Sequence, residues 1–153
     1  MVDFLTSVQS DRGPLEPIPV TLVSNGLEVD IGNTGINSIA GPSYVHRLSS
    51  SLGTTNATLI RSGATRVFRM SGTNTNAAAR YLKLYNKATA PIAGTDFPFW
   101  IEALEANAPF NVALDALLFS TGLGYVITSN FPDSDTGAIT SGDITTMNIS
   151  YLY

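Results

Sequence analysis

The chain has 153 residues, no cysteine and a formal net charge of -4, with 44% hydrophobic residues. Its length suits one domain with its own core. The missing cysteines exclude disulfides and thiolate metal centres, and the acidic balance argues against a nucleic-acid binder, which needs a basic patch to neutralise phosphates.

Charged residues make up only 13%, against about 25% in an average globular protein. Ser, Thr, Asn and Gly fill the gap. Such a surface sheds few hydrated ions when it meets another protein. The six arginines and two lysines are dispersed, apart from Arg61, Arg66, Arg69 and Arg80, and they read as solvated or paired side chains.

The opening Met1-Val2-Asp3-Phe4-Leu5 lacks the basic stretch and apolar segment of a secretory signal. No apolar run approaches the ~20 residues of a membrane span. These features predict synthesis in the cytoplasm and no membrane partner. Gly13-Pro14-Leu15-Glu16-Pro17-Ile18-Pro19 then fixes φ at three prolines and forces their predecessors into extended geometry. It reads as an extended Pro-rich arm whose candidate partner-binding residues are Pro14, Leu15, Pro17, Ile18 and Pro19.

Val20–Val23 and the alternating Leu27–Ile31 flank Asn25-Gly26, a hairpin signal. The Gly-rich stretch 32–43 reads as a loop and Tyr44–Leu48 as a short strand. From there the pattern is regular, with strands expected near 57–62, 65–71, 78–86, 97–104, 109–114, 116–120, 124–129 and 144–152. In Arg80-Tyr81-Leu82-Lys83-Leu84-Tyr85, Leu82 and Leu84 face one way and Tyr81, Lys83 and Tyr85 the other. Met147, Ile149, Tyr151 and Tyr153 share one face of a final strand, which implies a C-terminal segment tucked into a sheet. Short strands with turn signals between them predict an all-β, antiparallel, jelly-roll-like β-sandwich over residues 51–153. Residues 1–50 would form an N-terminal arm and hairpin for attachment. The helix-forming pieces between Phe99 and Leu118 are interrupted by Pro109 and keep no helical period.

Little in the sequence points to catalysis. His46, the single histidine, has no Gly-x-Ser-x-Gly elbow to serve as base for. Glu102 and Glu105 are the best-placed pair for glycoside chemistry, but their spacing does not define a groove. Asp133-Ser134-Asp135-Thr136-Gly137 resembles the start of a calcium loop without its distal bidentate acid, and equally a plain turn. Asn56-Ala57-Thr58 and Asn148-Ile149-Ser150 match the glycosylation sequon without a secretory signal beside them. Phe97, Phe99, Trp100 and Phe110 read as sandwich core, with Trp100 alternatively an interface anchor. No cofactor and no metal is expected.

Several stretches taken in order carry a family likeness: Thr55-Asn56-Ala57-Thr58, then Asn76 to Ala88, Pro91 and Gly94-Thr95-Asp96, and finally Phe119-Ser120-Thr121-Gly122 and Asp133-Ser134-Asp135-Thr136. This block, from about Thr54 to Tyr153, resembles small virion structural proteins of tailed bacteriophages. The resemblance implies a non-enzymatic β-sandwich carried on the virion. The leading expectation is a capsid decoration (cement) protein, a homotrimer bound to the major capsid protein or another virion protein. A tail-fibre or receptor-binding module contacting the host surface is the alternative, and a carbohydrate-active enzyme ranks last.

Overall fold

The computed structural model describes residues 44–153 and the backbone of two short strands near the N-terminus. The chain divides into two units, Met1–Ile39 and Ala40–Tyr153. In the first, β1 (Thr21–Val23) pairs antiparallel with β2 (Gly26–Glu28); the expected hairpin is present, but Gly26 stands in the second strand opposite Val23 and not in the turn. The Pro-rich arm, with Pro14, Leu15, Pro17, Ile18 and Pro19, lies outside the described residues.

The second unit contains β3 (Tyr44–Ser50), β4 (Thr58–Ser62), β5 (Thr65–Asn74), β6 (Arg80–Asn86), β7 (Trp100–Leu104), β8 (Ala108–Phe119), β9 (Gly122–Thr128) and β10 (Ile144–Leu152). They form two four-stranded antiparallel sheets, ordered β3-β10-β5-β8 and β4-β9-β6-β7, in a sandwich-like arrangement with no helix among the described residues. The expected division at residue 50 is displaced. β3 is a full member of the first sheet, His46 opposite Ile149 and Leu48 opposite Met147, so its backbone bonds belong with the residues after it.

One core lies between the sheets. Val67, Met70, Leu114, Phe119, Ile144, Met147 and Ile149 enter from the first sheet, and Leu82, Leu84, Leu104, Leu123, Tyr125 and Ile127 from the second. Period-two alternation selects Leu82 and Leu84 in β6 and Leu123, Tyr125 and Ile127 in β9, whereas the odd spacings Val67/Met70, Leu114/Phe119 and Ile144/Met147 each span a register shift. The stretch expected as two strands, 109–114 and 116–120, is one strand. Asp115 and Ala116 adopt positive φ of 46° and 65°, and the pairing to β5 jumps from Ala113 opposite Arg69 to Leu117 opposite Val67. The break in alternation marks a bulge, which bends a strand without ending it. A second bulge lies at Thr146, φ 51°, where the pairing of β10 to β5 jumps from Thr145 opposite Thr73 to Asn148 opposite Ser71 while its register with β3 runs on.

Polar side chains close one end of the sandwich. Buried Asn74 donates to the carbonyls of Ala78, Leu104 and Glu105. Asp143, also buried, accepts from Asn76 Nδ2 at 2.8 Å, from the Thr140 amide at 2.9 Å and from Arg80 Nε at 2.7 Å. Burial alone would raise the Asp143 pKa, but the Arg80 guanidinium and the amide donors outweigh it and hold the carboxyl below its ordinary value.

Candidate functional site

Both faces of β6 are covered. Leu82 and Leu84 enter the main core, while Lys83 and Tyr85 on the opposite face are equally buried. Two segments roof that outer face, 87–99 and 129–137. Residues of β9 without side chains admit the first. A Cβ at Gly122 would stand 2.4 Å from the Lys87 carbonyl oxygen, and one at Gly124 would stand 2.9 Å from Pro91 Cδ. The bulky-small alternation of Gly122-Leu123-Gly124-Tyr125 is therefore a docking strip, not a turn.

Each roof segment is shaped by a carboxylate. Asp96 Oδ2 accepts from the Ile92 amide at 2.7 Å and from Lys87 Nζ at 2.6 Å; the Lys87 ammonium and the Ile92 amide lower its pKa. Asp135 accepts from the Asn130 and Gly137 amides. Burial opposes ionisation of Asp135, but these donors and Lys83 hold its pKa below the ordinary value. The Asp133–Gly137 motif is thus organised as a turn, with Asp135 committed to backbone amides. Lys83 Nζ donates to the Pro132 carbonyl at 2.5 Å and so pins the second segment from beneath. The two segments touch at Gly94, φ +75°, whose Cβ would meet Ser134 O at 2.9 Å; only glycine suits both that angle and that approach.

Between the segments lies a cleft of about 440 Å³ lined by Gly94, Thr95, Asp96, Phe97, Asp133 and Ser134. Phe97 is 85% exposed. The buried Tyr85 hydroxyl has no hydrogen-bond partner. Its pKa is pushed up to about 12, first by burial and then by the carboxylates of Asp96 and Asp133.

The aromatics expected in the core are mostly not there. Phe97, Phe99 and Trp100 are exposed, while Phe110 packs against the core. The cause is topological: β7 is the edge of its sheet, paired with β6 alone, so residues at its start have no neighbour beyond them. Trp100 Nε1 donates to Glu102 Oε2 at 3.3 Å, and Phe99 meets Phe119 edge-on.

The residues considered for catalysis do not converge. Neither Glu102 nor Glu105 lines the cleft. His46 on β3 lies with Nε2 3.4 Å from the Tyr125 hydroxyl, and burial lowers its pKa. Among the described residues no group of three or more His, Asp or Glu side chains is placed to hold a metal ion. Asn56 of the first sequon is buried and bonds to Leu52 and Thr54. Of the middle-strand arginines, Arg66 donates to Ala116 O, Arg69 to Asn111 and Arg80 to Asp143, while Arg61 lies over the Tyr153 ring with its buried Nε unpartnered.

Comparison with family models, with curated proteins and with solved structures found no match for this chain.

Proposed function

We propose that this chain is a non-enzymatic virion structural protein of a tailed bacteriophage, a capsid decoration (cement) protein. It stabilises the head through contacts with the major capsid protein or another virion protein. The observation that carries the reading is the edge at β7, where Phe97, Phe99 and Trp100 stand exposed beside unpaired strand backbone. Exposed aromatics at an open sheet edge are what a protein contact uses. Low charge across the surface lowers the desolvation cost of such a contact.

The fold is read more finely as a jelly roll. The orders β3-β10-β5-β8 and β4-β9-β6-β7 support that reading, because eight strands wrapped as two Greek keys would produce them, an architecture frequent in viral capsid and lectin domains. That step is fold-level analogy and bears on the virion setting alone. In this reading the Pro-rich arm attaches to the shell, the homo-oligomer is a trimer, and nucleic acid and membrane are not partners.

The test is co-sedimentation of the purified chain with particles lacking it. The intact chain should bind at high copy number. Deletion of residues 1–20, or Trp100→Ala, should weaken binding at unchanged melting temperature. Absence of the protein from purified particles would overturn the proposal. A few copies confined to the tail tip would favour the receptor-binding alternative.

A further inference from the structure

We propose that the cleft between the two roof segments binds a neutral saccharide, one or two pyranose rings of a glycan. This holds wherever on a particle the protein sits. The volume of about 440 Å³ falls within the range of small-molecule sites. The wall chemistry selects the class. Phe97 is 85% exposed on a wall shared with hydroxyls, backbone and carboxylates, and an exposed aromatic ring beside polar groups matches the C–H face of a sugar ring. Thr95 and Ser134 offer hydroxyls, and exposed Asp133 offers a carboxylate that the hydrogen bonds shaping its segment leave unused.

Charge argues against a cationic ligand. Asp96 already holds Lys87 at 2.6 Å, and buried Lys83 lies beneath Asp133 and Asp135. A lysine or arginine from a partner would find one free carboxylate, Asp133, because Asp96 and Asp135 are already held, and an acidic sugar would be repelled by that same group. A neutral polyol suits both conditions: its hydroxyls donate to Asp133 and accept from Thr95 and Ser134.

The experiment is titration of the isotope-labelled full chain, followed by amide NMR. The probes are lactose, maltose, cellobiose and N,N′-diacetylchitobiose, with sialyllactose and a Lys-Arg tetrapeptide as controls. At least one neutral sugar should give saturable shifts at Gly94, Thr95, Phe97 and Ser134, with a Kd near ~1 mM as befits a small open site. Phe97→Ala and Asp133→Asn should each weaken binding by about tenfold or more while leaving the melting temperature unchanged. Three results would each overturn the assignment: no saturable shift from any neutral sugar, shifts that survive Phe97→Ala, or stronger binding of the basic peptide at the same residues.

Discussion

Arg80 and Asp143 meet across the end of the sandwich, Nε to Oδ2 at 2.7 Å, with both side chains largely buried. Arg80 opens β6 in one sheet and Asp143 immediately precedes β10 in the other, so the pair ties the sheets together. Removing one partner of a buried pair strands the other, at a cost of about 3 kcal/mol. Asp143→Asn should lower stability by that order. Because the folded carboxyl is held below its ordinary value, the fold binds fewer protons there than the unfolded chain. The stabilisation is therefore complete above the ordinary carboxylate range and is lost as pH falls from that range through the lowered folded value. Denaturant melts between neutral and acid pH should show a steep acid limb that flattens in Asp143→Asn.

Lys83 carries the opposite sign. Its side chain is fully buried; burial lowers its pKa, and Asp135 and Asp133 only partly oppose that. The folded state holds the proton less tightly than the unfolded one, so at neutral pH the charged amine is a liability that shrinks as pH rises toward the ordinary lysine value. Lys83→Met should be neutral or stabilising by about 1–2 kcal/mol at pH 7, with a smaller difference in alkali. Loss of the bond to Pro132 should speed proteolytic cleavage within 129–137.

Tyr85→Phe should preserve or raise stability, by about 1 kcal/mol, because it deletes a buried hydroxyl that bonds to nothing. Spectrophotometric titration offers a second readout: the variant should lose the tyrosine that ionises only near about 12.

Gly122→Ala should destabilise by about 3 kcal/mol. The new methyl would stand 2.4 Å from the Lys87 carbonyl oxygen and 2.8 Å from that of Arg61, and backbone on both sides has little room to yield. Gly53→Ala, whose nearest neighbour would be 3.8 Å away, should shift stability by less than about 0.5 kcal/mol. Chemical denaturation of both variants checks the contrast.

Alternation made the strands legible. Leu82, Leu84, Met147 and Ile149 all reach the core their spacing assigns them to. The bulge at Asp115-Ala116 was illegible because a break in period looks like a strand end whether the chain turns or merely kinks. Trp100 and Phe97 misled because hydrophobicity predicts burial only when something packs beyond the residue, and edge position is set by pairing order. The cleft was hidden for a related reason. It joins residues 94–97 to residues 133–134, and the signal that could have found it was Gly122 and Gly124, alternate glycines that announce a close overlying segment.

The place of β10 bears on biosynthesis. It separates β3 from β5 in its sheet, yet starts at Ile144, long after β5 ends at Asn74. Until the ribosome has delivered it, the earlier strands present naked ladder edges to solvent. Prematurely terminated copies would keep that vacancy and could recruit β10 from an intact neighbour, so translation errors in this gene threaten good molecules as well as bad ones.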